Sequence, residues 1–221
     1  MYIRYFGVEW YEELKDVLHS EYFTNLRKFL KEEYKTKIVY PEYHGSFELA
    51  FRAFRETPLN KVKVVIIGQD IYHDNSFDGL AFSNGTKTSG FSPSLINIMK
   101  EVKEDVGGEV KYDLTDWSRQ GVFLINTGLS AVKGKPGSHT DKWKPFMYNV
   151  IKILNSRKNL VYLLWGSFAQ NFKQYIDGEN NLILCCGHPS PLNTSKPFKG
   201  NKHFSKTNVY LEEHNIEKIN W

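Results

Sequence analysis

Short, almost wholly apolar runs punctuate the chain from residue 62 onward. Four of these runs are predicted to be buried β-strands, at residues 62–67, 122–126, 160–165 and 181–186. Amphipathic stretches at residues 93–106, 143–154 and 167–175 are predicted to be helices. Strands that alternate with helices and are themselves nearly all apolar favour an α/β fold, because a parallel sheet is covered by helices on both faces.

The first sixty residues have a helical pattern instead. Trp10, Leu14 and Leu18 recur at the spacing of one helix face, and a similar set follows from Phe23. The pattern breaks between residues 36 and 48, around Gly45, which predicts a connecting loop. Since no linker rich in Pro, Gly or Ser divides the chain, we expect a single domain over residues 1–221. Its centre is a short, mostly parallel four-stranded sheet, and residues 1–60 form its helical N-terminal portion.

Composition excludes several classes of protein. The apolar runs are far shorter than the ~18–20 residues that span a membrane, and the N-terminal segment has no apolar core of a signal peptide. Cys185 and Cys186 are adjacent within an apolar run, so we expect buried, reduced thiols in an intracellular protein. No second Cys/His cluster completes a zinc site with them. These features favour a soluble intracellular domain.

Charge adds a clue about partners. The 29 Lys and Arg against 25 Asp and Glu leave a net charge of +4, yet residues 79–100, 117–140 and 180–211 contain no acid. Phosphate backbones favour such a surface, and Ser92, Ser94, Ser190 and Ser205 could hydrogen-bond phosphate oxygens. A basic face without any partner explains the charge equally well.

The segments that follow the predicted strands carry chemically specific side chains. The ligand crevice of an open parallel sheet lies at the carboxyl ends of its strands. We therefore expect these residues to converge there: Gln69, Asp70, Tyr72, His73, Asn126 and His188. Any one of them alone could be an ordinary polar turn residue, but several at one edge favour a site.

Six ordered segments resemble the motifs of family 1 uracil-DNA glycosylases. They read GQDIYHD, GLAFSN, LINTGLSAVKGKPGSH, LLWGSFAQ, GHPSPLN and HFSKTN. The resemblance implies hydrolysis of the N-glycosidic bond of deoxyuridine, which leaves an abasic site during base excision repair, with no lyase step. It implies single- and double-stranded DNA containing uracil as the partner and a monomer in the cytoplasm, with a nuclear or viral setting left open. A proteinaceous inhibitor is a further candidate partner, and no cofactor or metal is required.

The resemblance also assigns roles. Asp70 matches the catalytic carboxylate and His188 matches the histidine that stabilises the departing uracil. The remaining matches bind substrate: Gln69 lines the pocket, Tyr72 excludes a 5-methyl group, Phe82 stacks on the base and Asn126 pairs with its edge. The expected DNA contacts are Ser94, Ser190 and the wedge Leu192, which fills the space left by the rotated nucleotide. His73 is expected to support its loop.

Four departures from the family pattern leave alternatives open. Ile71 stands where the motif has proline, and Gly187 stands where a small residue, usually alanine, precedes the histidine. The segment between His73 and Gly79 is about one residue shorter, and the proline-rich run is reduced to residues 90–94. The alternatives to an active enzyme of this family are a DNA-binding or polymerase-associated homologue with little catalysis, and a glycosylase with altered base preference.

Overall fold

The computed structural model describes residues 2–42, 48–73, 76–85, 90–194 and 196–221, so residues 43–47 of the loop predicted between 36 and 48 lie outside the described residues. The helices are α1 (Ile3–Phe6), α2 (Val8–Leu18), α3 (Glu21–Thr36), α4 (Arg52–Glu56), α5 (Pro93–Val106), α6 (Thr115–Arg119), α7 (Thr140–Leu154), α8 (Gly166–Gln170) and α9 (His203–Glu213). The strands are β1 (Val39–Tyr40), β2 (Val64–Asp70), β3 (Val122–Gly128), β4 (Ala131–Val132), β5 (Val161–Trp165) and β6 (Leu182–Cys186). Two short 3-10 helices lie at Leu59–Lys61 and Lys173–Tyr175.

A four-stranded parallel sheet forms the centre of the fold, in the order β3-β2-β5-β6. This confirms the α/β class and all four predicted strands. The predicted end of the first strand was wrong, because the ladder between β2 and β3 continues as far as the pair Asp70 and Gly128. Gln69 and Asp70 therefore lie on the strand itself, where paired backbone holds them, and not in the loop that follows.

Local sequence signals explain where the helices begin and end. Ser20 caps α3 by accepting a hydrogen bond from the Phe23 N–H at 3.2 Å. Pro93 occupies the first turn of α5, and Gly107 ends that helix at φ +67°, a left-handed conformation that glycine adopts without strain. The predicted helix at residues 93–106 is confirmed. The stretch at 167–175 is instead divided between α8 and the second 3-10 helix.

A two-stranded antiparallel sheet, β1 with β4, was not predicted from the sequence. Each of its strands has only two residues, which is too short for a periodic pattern to indicate. This small sheet ties the N-terminal helical portion to the segment that follows β3, and that segment reaches the candidate site described below.

The cysteines differ from expectation. Both are free thiols, but Cys185 is exposed and Cys186 is only half-buried. The reason is topological: β6 is an edge strand with a neighbouring strand on one side only, and none of its five residues is fully buried. Burial raises the pKa of Cys186 to about 12, so it is not a reactive thiolate.

None of the helices in the described part of the chain is long and apolar enough to cross a membrane. The described ranges also hold no cluster of three His, Cys, Asp or Glu placed to bind a metal ion.

Aromatic side chains fill the core between the N-terminal helices and the sheet. The Trp10 ring is fully buried, lies 5.0 Å from the Phe123 ring of β3 and 5.2 Å from Phe54 of α4. Its indole N–H donates to the Thr57 carbonyl at 2.9 Å. Because Trp10 contacts both layers, it fixes the helical portion against the strand that carries Asn126.

We expect Trp10→Ala to reduce the free energy of unfolding by about 3–5 kcal/mol, because it leaves a cavity and an unpaired buried carbonyl. Urea denaturation followed by circular dichroism measures this change. Val8→Ala on the same helix is the control; Val8 is 64% exposed, so its loss should change stability by no more than about 0.5 kcal/mol. Equal effects of the two substitutions would contradict the assignment of Trp10 to the core.

Candidate functional site

A cavity of about 200 Å³ opens at the carboxyl ends of β2 and β3. Seven of the residues predicted from the sequence line it: Gln69, Asp70, Tyr72, Phe82, Ser94, Asn126 and His188. His73 lines it as well. These residues come from five separate segments of the chain, and the parallel sheet brings them to one edge, as expected for this architecture.

Asp70 ends β2 with its carboxylate toward a glycine-rich loop. The Gly137 N–H donates a hydrogen bond to Asp70 Oδ2. Burial raises the pKa of the Asp70 carboxyl above its usual value of 3.8, while the Gly137 hydrogen bond and the nearby His73 oppose that rise. The site thus holds a partly desolvated carboxylate in a fixed orientation.

A buried polar network holds the loop that contains Gly137. The ring of His139 is hydrogen-bonded to Ser130 Oγ at 2.9 Å through Nδ1, and it lies 3.3 Å from Glu33 Oε2 through Nε2. The Trp143 indole N–H donates to the same Ser130 hydroxyl at 2.9 Å. Sequence reasoning missed Gly137, because the functional group is a backbone N–H and no side-chain motif reports where it points.

His188 is held as one defined tautomer. The Ser190 N–H donates to His188 Nδ1 at 3.0 Å, so the single proton of a neutral ring is on Nε2. Burial lowers the pKa of His188 below its usual 6.5, which favours the neutral form. The cavity therefore contains a neutral imidazole that can donate one hydrogen bond from Nε2.

Asn126 places a carboxamide at the cavity. Its side chain is buried, and its carboxamide makes no hydrogen bond to any described residue. Gly68, its partner across the β2–β3 ladder, makes room for it, because a Cβ at Gly68 would lie 2.1 Å from Asn126 Oδ1. A buried amide without protein partners is costly unless a ligand satisfies it.

Phe82 and Tyr72 form an aromatic wall. Phe82 has φ +64°, an uncommon value for a residue with a side chain, and its ring centroid lies 6.0 Å from that of His188. The Tyr72 hydroxyl donates to the Phe82 carbonyl at 3.2 Å. The backbone strain at Phe82 places its ring beside the cavity rather than in the core.

The segment from Gly187 to Pro197, which we call the wedge loop, carries both His188 and Leu192. Leu192 is 88% exposed, whereas the loop around it is tightly closed. Asn193 Nδ2 donates to the His188 carbonyl at 3.1 Å and to the Lys196 carbonyl at 2.6 Å. A Cβ at Gly187 would lie 1.9 Å from the Lys196 carbonyl oxygen, so the returning backbone requires glycine there. The departure from the family pattern at Gly187 thus has a steric reason.

Ile71, the other departure within a motif, is also explained by packing. Its side chain is 2% exposed and belongs to a small apolar cluster with Tyr40, Phe77 and Ala131. Burial of a branched side chain supports the turn between Asp70 and Tyr72 in place of the rigidity of proline.

The segments that contain no acid do not form a surface without acids, because acidic residues of α5 lie against residues 180–211. The Ser205 hydroxyl donates to Asp105 at 2.6 Å, so the expectation that Ser205 bonds phosphate is wrong. Lys199 pairs with Glu104 at 3.2 Å. Ser190, by contrast, lies on the wedge loop beside a second cavity of about 340 Å³ whose lining includes Lys100 and Lys196.

Comparisons with known proteins agree on one family. The model of the uracil DNA glycosylase superfamily matches residues 54–212. A uracil-DNA glycosylase of Amoebophilus asiaticus is 42% identical over 217 residues, which cover 96% of each chain. The crystal structure of mimivirus uracil-DNA glycosylase superposes with a TM-score of 0.88 at 26% identity, over 99% of this chain and 88% of that one. A mimivirus UNG variant in complex with UGI gives a TM-score of 0.89 at 27% identity, over 99% and 89% of the two chains.

We expect Asn193→Asp to open the wedge loop, because a carboxylate cannot donate to the two carbonyls that Asn193 Nδ2 contacts. Amide hydrogens of residues 188–197 should exchange about tenfold faster, since two hydrogen bonds of about 0.5–1.5 kcal/mol each are lost. Hydrogen exchange with mass spectrometry measures this rate.

Thr194→Asp is the matched control for charge. Thr194 is an exposed residue of the wedge loop, so its substitution adds the same charge to the loop without removing those bonds. Equal exchange rates in both variants would contradict the role of Asn193.

Proposed function

The chain belongs to the uracil DNA glycosylase superfamily, and we propose that the cavity beside Asp70 and His188 is where it hydrolyses the N-glycosidic bond of deoxyuridine in DNA. The observation that carries this assignment is the meeting of a carboxylate, a neutral imidazole, a carboxamide and an aromatic ring in one cavity of about 200 Å³. Each is the group that one part of the reaction requires.

Recognition depends on Asn126 and the aromatic wall. A flipped uracil can stack on Phe82 and present its edge to Asn126, whose carboxamide accepts from N3–H and donates to O4. Cytosine would leave buried polar groups unpaired on both sides, which a hydrogen-bonding site rejects strongly. Tyr72 occupies the space of a 5-methyl group and so excludes thymine, and Gln69 lines the same pocket.

Bond breaking places opposite charges at the two ends of the site. The electron pair of the N1–C1′ bond leaves with uracil, and the Nε2–H of His188 stabilises the charge that develops on O2. The Asp70 carboxylate stabilises the cationic sugar, orients the water that attacks C1′ and accepts the proton that this water loses. No lysine is among the described residues that line the cavity, which supports a hydrolysis with no lyase step.

DNA contacts lie at the rim of the cavity. Leu192 is exposed on a closed loop and can fill the space that the rotated nucleotide leaves, which offsets part of the cost of unstacking. Ser94 lies in the first turn of α5 and Ser190 lies on the wedge loop, where both can reach phosphate oxygens.

The proposal also covers the domain organisation, a protein inhibitor, the oligomeric state and the location of the protein. One cluster of buried residues includes both Tyr5 and Trp221, which supports a single domain over residues 1–221. The mimivirus complex with UGI supports a proteinaceous inhibitor as a second partner. A monomer that acts inside the cell follows from the family resemblance alone.

Uracil release from single- and double-stranded oligonucleotides tests the function. We expect Asp70→Asn to lose about 10²–10⁴-fold and His188→Leu about 10²–10³-fold in kcat. Because burial raises the pKa of Asp70, the ionised form is disfavoured in the fold, so Asp70→Asn should be at least as stable as wild type at neutral pH. A loss of activity in that variant would then not come from unfolding.

The outcome that contradicts the proposal is a wild-type protein that releases no more uracil than these variants. Tight DNA binding without release would identify a non-catalytic homologue, and release of another base would identify an altered specificity.

The pH dependence of kcat should have an acid limb and a neutral plateau. Activity needs Asp70 ionised and His188 neutral, and both groups lose these forms as the pH falls. Burial raises the pKa of Asp70 above 3.8 and lowers the pKa of His188 below 6.5, so the loss occurs on the acid side of neutrality. Single-turnover release across the pKa range of carboxyl and imidazole groups measures it. A rise in activity on acidification would overturn the assigned protonation states.

A further inference from the structure

Two aromatic rings stack next to the N-terminus of α5. The rings of Phe91 and Tyr112 are nearly parallel at 9°, with centroids 3.4 Å apart. Phe91 is nevertheless 47% exposed, so one face of its ring lies on Tyr112 and the other is open to solvent. A large apolar ring held in this way keeps one face in contact with water, where a ligand can cover it.

Hydrogen bonds of one buried residue, Asn84, hold the two segments that carry these rings. The Asn84 side-chain oxygen accepts from the Ser92 N–H at 2.8 Å, and the Asn84 N–H donates to the Tyr112 carbonyl at 3.0 Å. Asn84 is itself only 3% exposed. The two rings are thus fixed from both of the loops that carry them, and little side-chain entropy remains for a ligand to remove.

The pair lies close to the uracil cavity. Phe91 precedes the N-cap Ser92 and stands three residues before Ser94, which lines the cavity. Three residues span at most about 10 Å, so the open face of Phe91 is within reach of a nucleotide next to the flipped one. The segment from residue 79 to residue 100 that carries it contains no acid to repel a phosphate backbone.

The acids of the facing loop are already engaged. Lys111 lies 3.0 Å from Asp116 and 3.9 Å from Glu109, and Asp113 accepts from the Thr115 N–H at 2.9 Å. One lysine and one backbone N–H thus engage these three acids, and beside them Phe91 presents a flat apolar ring face to a ligand. A nucleobase has the matching shape, since every base presents a π-face of this kind.

We propose that the Phe91–Tyr112 pair is a stacking subsite for an unpaired base that neighbours the flipped uracil. The proposal rests on the proposed function and adds a preference for single-stranded or locally opened DNA, because a paired base keeps its faces covered within the duplex. Stacking of this kind tolerates any sequence, so the subsite selects the strand state and not the neighbouring base.

Phe91→Ala tests the subsite on a single-stranded oligonucleotide with one central uracil. We expect KM to rise about fivefold or more, the lower end of what one lost base–aromatic stack produces, with kcat little changed. Phe91→Trp should keep the wild-type KM, because it restores a ring at the same position. Val110→Ala is the matched control; Val110 is similarly exposed, at 46%, on the same loop as Tyr112 but is not part of the stack.

A second substrate set separates stacking from general loop damage. Two further oligonucleotides lack the base of the nucleotide on the 5′ side or on the 3′ side of uracil. On one of these two substrates, wild type and Phe91→Ala should have the same KM, because the base that stacks on Phe91 is absent. A 2-aminopurine at that position should be quenched on binding to wild type and not to Phe91→Ala.

These assays distinguish failure of the stacking subsite from failure of the proposed function. Wild type that releases no uracil refutes that function. An active wild type whose KM equals that of Phe91→Ala on the single strand, or a KM difference that persists when either neighbouring base is absent, overturns the subsite alone.

Discussion

Parallel pairing of β2 with β3 is the constraint on which the rest of the site depends. The ladder continues to Asp70 and Gly128, so backbone hydrogen bonds and not a loop position the carboxylate. The same ladder sets Gly68 opposite Asn126, and only a residue without a Cβ leaves space for that carboxamide. The proposed catalytic group and the proposed base reader are thereby placed by one register, because a slip of one residue would turn every side chain to the other face.

Several groups at this edge of the sheet lower the stability of the fold. Burial raises the pKa of Asp70 and lowers the pKa of His188, so each ionisable group is held in an environment that disfavours its charge. Asn126 is buried and its carboxamide has no hydrogen-bond partner among the described residues, and Phe82 has a strained φ. A large aromatic core offsets these unfavourable contributions to stability. In that core, Trp10 stacks on Phe123 of β3, one of the strands that carry the site.

The wedge loop joins two parts of the proposed reaction. Asn193 connects the His188 carbonyl to the Lys196 carbonyl, so the imidazole and the exposed Leu192 belong to one closed unit. Closure at this distance requires Gly187, and burial of Ile71 supports the turn on the opposite side of the cavity. Both departures from the family pattern therefore change how the loops are held and leave the reacting groups in place.

The sequence by itself determined the α/β class, the four strands and eight of the residues that line the cavity, because apolar periodicity is local and the family motifs can be identified from the residues alone. It could not determine the β1–β4 pairing, the exposure of Cys185 or the engagement of Ser205 by Asp105, since each depends on a segment distant in the chain. The hydrogen bond from Gly137 to Asp70 and the stack of Phe91 on Tyr112 were likewise decided only by tertiary structure. The physical reason is that backbone donors and ring faces carry no sequence signal for their direction, which packing alone sets.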